Sequence, residues 1–183
     1  MTKVSSTARS LRQLYFTRAG FSITWVILVA LFAKTSPMLA AILLIIYPAW
    51  DVCGTILDIR ANRVVPSKKP QYINLAISSI ATFAVGIAIQ KGMPCALTIF
   101  GAWAISTGLI QLILGLRRRK LFGGQWPMII SGGQSMIGGI TFILLAHDPS
   151  KGMSSLAGYA AFGAFYYLLA AYGLLRNDNA TAK

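Results

Sequence analysis

The chain has 183 residues, 56% of them hydrophobic and only 11% charged, against about 25% charged in soluble domains. Its 17 Lys and Arg face four acids, all Asp, for a net charge of +13. A soluble enzyme or a nucleic-acid-binding domain does not fit: the apolar residues fall in long blocks, and the basic ones stand at block ends, where orientation signals and anionic headgroups account for them.

Residues 1–18 carry Lys3, Arg9, Arg12 and Arg18 without an acid. They read as a basic lead, amphipathic at the membrane surface through Leu11, Leu14, Tyr15 and Phe16. A cleavable signal would need a small-x-small site, which Leu31 and Ala33 do not provide, so the lead is read as retained.

Apolar blocks follow at about Ala19–Ala33, Pro37–Leu57, Tyr72–Gln90, Pro94–Leu116, Trp126–Ala146 and Met153–Leu175. Most approach the roughly 20 residues that cross about 30 Å of hydrocarbon, and the first does so if Arg18 snorkels to the interface. The spacing predicts an all-α integral membrane bundle of six transmembrane helices. Turns after the odd blocks hold three basic residues (Lys34, Lys91, Lys151), while the termini and the Arg60–Pro70 and Arg117–Gln125 loops hold fourteen. That asymmetry places both termini in the cytosol.

Arg18, Gln71 and Gln125 open successive helix pairs at intervals of 53 and 54 residues. The chain therefore reads as three helical hairpins in parallel repeat. Their bounds are 14–69, 70–122 and 123–176, with a basic tail over 1–13 and a short tail over 177–183.

The polar centre is predicted in the second block, Tyr47-Pro48-Ala49-Trp50-Asp51-Val52-Cys53-Gly54-Thr55-Ile56-Leu57-Asp58. Asp51 and Asp58 are seven residues apart, close to two turns, so both carboxylates share one face roughly 10 Å apart along the axis. Each is expensive in hydrocarbon, about 2.5–3.5 kcal/mol on insertion scales, and calls for a partner or a wet cavity. Pro48 removes a helix hydrogen bond and frees the Leu44 carbonyl beside Trp50, which suggests a polar pocket. Candidate partners are Arg18, Arg117 and Asn62, with Gln111 and Gln134 as further ligands. Pro37, Pro94 and Pro127 stand at helix starts, where proline is expected.

Small residues mark close helix approach. Gly101, Ala104, Gly108, Gln111 and Gly115 recur at steps of 3 and 4 on the fourth span, as do Gly132, Ser135 and Gly139 on the fifth. The sixth offers Gly163, Tyr166, Ala170 and Gly173. Tight packing is the plain reading of these faces, and the lining of a pore or groove is the alternative.

Cys53 and Cys95 lie at opposite ends of their blocks and read as small buried hydrophobes rather than a disulfide. The lone His147 leaves paired-histidine ligation and most metal sites without donors. Neither metal nor cofactor is expected.

The segment Gly124-Gln125-Trp126-Pro127-Met128-Ile129-Ile130-Ser131-Gly132-Gly133-Gln134-Ser135, with Arg-rich loops after even spans and Pro37, Pro94 and Pro149 near the outer turns, resembles the HdeD-like family of bacterial membrane proteins. The likeness covers about residues 14–176. It implies a short-repeat multi-pass protein of the bacterial plasma membrane, without catalytic residues, with a role in envelope or acid stress resistance.

Two functions stay open. One is a non-enzymatic bundle acting through its contacts, with lipid and anionic headgroups as partners, room for a homo-oligomer, and the two Asp ion-paired. The other is a small transporter or proton-linked permeation unit using Asp51 and Asp58. An intramembrane enzyme lacks support, because His147-Asp148 falls in an outer turn far from Asp51.

Overall fold

The structure is a computed structural model that describes residues 3–62, 67–148 and 153–181. Six helices follow one another: α1 (Lys3–Phe32), α2 (Pro37–Ala61), α3 (Lys69–Gln90), α4 (Met93–Phe122), α5 (Trp126–Leu144) and α6 (Met153–Thr181). All six are long and apolar enough to cross a membrane, so the chain is built as a multi-pass membrane protein.

Proline stands in the first turn of α2, α3, α4 and α5, where its missing N–H goes unneeded. Ser36 caps α2, its hydroxyl accepting the Leu39 N–H at 3.3 Å. Between α4 and α5 the chain reverses within three residues, through Gly123 and Gly124 at φ +61° and +60°. A side chain is strained there, and a Cβ on Gly124 would also sit 3.0 Å from the backbone of Gly173 on α6.

Each helix packs on its neighbours in sequence, and α6 returns onto α1, closing a six-membered ring. Two apolar layers fill its ends. Trp25, Leu44, Val85, Leu97, Phe100, Trp103, Phe142 and Leu156 pack at the end of the short α1–α2 and α3–α4 turns. Leu11, Leu14, Tyr15, Phe122, Met128 and Leu174 pack at the other. Polar side chains occupy the level between.

The structure alters several sequence expectations. The basic lead is the first part of α1; of its four apolar residues Leu11, Leu14 and Tyr15 are buried against other helices, and Phe16 alone is exposed. Burial in a protein core satisfies the same apolar stripe that a membrane surface would. The Arg117–Lys120 run forms the last turns of α4 rather than a loop. Cys53 is exposed on the outside of the ring and Cys95 half-buried, both free thiols. Small apolar thiols tolerate lipid as well as protein, which is why composition did not separate the two environments.

Close packing is concentrated between α4 and α5. A Cβ on Gly101 would come within 2.6 Å of the Gly139 carbonyl oxygen, and one on Gly108 within 2.7 Å of that of Gly132. A Cβ on Gly115 would likewise stand 2.9 Å from the Ile129 side chain. Ala104, on the same stripe, is fully buried. Bare glycine faces let the two backbones touch where lipid offers no hydrophobic drive for association.

Candidate functional site

Arg18 on α1 meets Asp51 on α2 at 2.7 Å. Both lie on the inner side of the ring, along with Asp58. The other Asp51 oxygen accepts from Asn74 at 2.8 Å and from Ser78 at 2.7 Å, both on α3. Ser78 accepts in turn from the Trp103 indole of α4 at 3.0 Å, and Arg18 also donates to the Tyr167 hydroxyl of α6 at 3.0 Å. One hydrogen-bonded network therefore joins five of the six helices through Asp51. Room for the guanidinium comes from Gly54, where a Cβ would stand 2.6 Å from an Arg18 nitrogen.

Asp58 has its own partner. One Arg118 terminal nitrogen donates to both Asp58 oxygens, at 2.7 and 2.6 Å, and both side chains are buried. The partner suggested by the sequence, Arg117, is exposed one position away. Helical phase decides between them: 101, 104, 108, 111, 115 and 118 continue a single 3-4 spacing, so Arg118 extends the inward stripe of α4 and Arg117 does not. Nearby, Tyr15 donates to Gln125 at 2.9 Å.

Pro48 is buried within a continuous α2. The carbonyl that gains a side-chain partner beside it is that of Leu43, which accepts the Trp25 indole N–H at 2.8 Å. Trp50 stacks on Phe21 with ring centres 4.3 Å apart, leaving its indole N–H without a protein partner. Gln111 donates to the Met128 carbonyl at 3.2 Å. Gln134 lines the interior, its carbonyl oxygen without a protein partner.

These side chains surround a chamber of about 390 Å³ lined from all six helices. At one end stand Asp58, Arg118, Gln71 and Tyr15; at the other, Thr141, Phe142, Ser155 and Tyr159. Ser135 and Tyr159 hydrogen-bond across it between α5 and α6. The α3 stripe Gln71, Asn74, Ser78 contributes all its polar members to the interior, and this face, Gly54 and Arg118 were not anticipated from sequence. The 3-4 spacing of polar residues on α3 carried the signal.

The charge balance inside is even. Two guanidiniums face two carboxylates, so the lining as a whole is neutral. Asp51 accepts from three side chains, on α1 and α3, which tie its carboxylate to both helices. Among the described residues, no three His, Cys, Asp or Glu side chains converge as a metal site would require.

Compared with protein families, curated proteins and solved structures, the chain matches none.

Proposed function

We propose that this is a non-enzymatic membrane protein that holds a small solute within its helical ring, as a binding or permeation unit. The supporting observation is the chamber itself. Its volume of about 390 Å³ falls in the range of small-molecule sites, about 300–1,000 Å³, and its walls set aromatic and aliphatic side chains beside many polar ones. Asp51 and Asp58 serve this unit as ion-paired anchors that set its shape and electrostatic balance.

In this reading the ring is three hairpins in parallel repeat, with α6 meeting α1 as closure about a common axis requires. Both termini lie in the cytosol. Of the fourteen basic residues on that side, Arg18 and Arg118 are engaged inside the ring, and the remaining twelve still outnumber the three opposite.

A second reading is the HdeD-like one: a bacterial plasma-membrane bundle in envelope or acid stress resistance, acting through contacts. It is favoured by the segment that carries the resemblance, since Gly124 packs on Gly173 and Gln125 holds Tyr15. Those contacts give the segment a structural task.

Thermal unfolding of the purified chain separates the two readings. With neutral, zwitterionic and charged small solutes tested in turn, a chamber protein gains several degrees in Tm from at least one class. Gly163→Phe, which fills the interior, weakens that response at least tenfold. A set of solutes that leaves the wild-type Tm unmoved, or a shift that survives Gly163→Phe, contradicts the proposal.

A further inference from the structure

The chamber's polar lining does not fully satisfy itself. Gln71 is 0% exposed and lines the interior, yet neither its carboxamide nitrogen nor its oxygen has a protein partner. Arg118, buried and also part of the lining, has an Nε–H in the same state, as does the Trp50 indole N–H. Buried donors and acceptors are nearly always paired, and leaving one unmade is destabilising. With the Gln134 carbonyl oxygen, two acceptors and three donors of the lining are thus without protein partners.

The chamber wall is also incomplete at one place. Ile137 and Thr141 of α5 and Phe162 of α6 line the interior while also facing outward, Ile137 at 67% and Phe162 at 56% exposure. Among the described residues, α5 and α6 touch less than any other adjacent pair in the ring. α4 and α5 interlock through glycines, and α1 and α2 are tied by Arg18–Asp51 and Trp25–Leu43, whereas among the described residues α5 and α6 share a single side-chain hydrogen bond, Ser135 to Tyr159. Because α5 and α6 are both long and apolar enough to span a membrane, the seam opens sideways between two spans.

We propose that the chamber takes an uncharged amphiphile with one hydrocarbon chain from the bilayer, through the α5–α6 seam. Its compact hydroxyl, ester or amide head reaches Gln71 and Arg118 Nε, and its chain leaves between Ile137 and Phe162. A charged head is disfavoured because both ion pairs are complete, so an ion would stand unneutralised in a lining of zero net charge. A purely apolar occupant would leave Gln71 unpaired. This inference rests on the solute-holding reading above and adds the class of ligand and its route.

A monoacylglycerol with a diazirine at the end of its chain, photolysed with the full chain in lipid nanodiscs, tests it. Cross-links are expected within 137–141 and 162–166. Excess monooleoylglycerol should suppress them at least tenfold, ionised oleate less than twofold, and glycerol not at all. Gln71→Leu and Gln71→Met should each lose at least tenfold of the competable cross-linking while Tm stays level or rises, since the carboxamide bonds to nothing in the protein.

Cross-links spread evenly over the outside of the bundle and indifferent to competitor overturn the seam. Equal competition by oleate overturns the uncharged head. Competition by glycerol equal to that of monooleoylglycerol overturns the amphiphile and its route while leaving a solute-holding chamber standing; that reading falls only if the small solutes of the thermal test also fail to bind. Cross-linking unchanged in both Gln71 variants overturns the assignment of the head to Gln71.

Discussion

Arg118→Ala should destabilise the protein by about 3–5 kcal/mol, the range for stranding one member of a buried ion pair. Asp58 is 6% exposed and takes both of its charged hydrogen bonds from a single Arg118 nitrogen. Removing that nitrogen strips a buried carboxylate between α2 and α4 of the guanidinium that makes both of its charged hydrogen bonds. Asp58→Ala should cost a similar amount for the converse reason. The double variant Asp58→Leu/Arg118→Met should recover most of the loss, because a well-packed apolar pair can replace a buried ionic one at little or no penalty. Reversible unfolding in mixed micelles with increasing dodecyl sulfate measures all three. Additive losses in the double variant would show that Asp58 and Arg118 act independently.

Gly108→Ile should force α4 and α5 apart. The new side chain begins 2.7 Å from the Gly132 carbonyl oxygen and 2.8 Å from Ser135 Cβ, and the first of these neighbours is backbone that cannot turn aside. The loss should reach the upper end of the roughly 1–3 kcal/mol typical of overpacking, or exceed it. Gly20→Ala is the control. A Cβ there meets nothing within 4 Å, so the variant should be neutral or more stable by about 0.5–1 kcal/mol from the helix preference of Ala over Gly. The same unfolding titration reads both, and an unchanged midpoint for Gly108→Ile would refute the close contact of the two backbones.

The elements most visible in the sequence were those set by single-chain periodicity. Six apolar blocks gave six helices, and the seven-residue step from Asp51 to Asp58 put both carboxylates on the inner face of α2. The 3-4 runs of small residues placed Gly101 and Gly108 against Gly139 and Gly132. Arg18 as a partner of Asp51 could be proposed because it is the cation nearest the first span.

Features set by where a helix ends, or by which helices become neighbours, were harder to see. Hydropathy falls at Leu116, so the following arginines looked like a loop. Because α4 runs on to Phe122, the phase of its stripe carries Arg118 inward and leaves Arg117 outside. The polar residues of α3 sit in a block whose mean hydropathy is still that of a span, which hides Gln71, Asn74 and Ser78 from a composition argument. Cys53 illustrates the converse limit: position within an apolar block does not say whether a side chain faces protein or lipid.

Gly54 and Trp103 belong to a third kind. Each matters because of a residue far away in sequence, Arg18 for one and Ser78 for the other. No local pattern marks either.

Arg18 and Arg118 hold Asp51 and Asp58 inside the bundle as ion-paired carboxylates, and the neutral lining follows from those two pairs. Infrared spectroscopy of the protein carrying ¹³C-aspartate in lipid bilayers at neutral pH tests it directly. The expected result is carboxylate bands that weaken in Asp51→Asn and again in Asp58→Asn, with no protonated-acid carbonyl band from either position. A protonated-acid band that disappears in Asp51→Asn or in Asp58→Asn would contradict it.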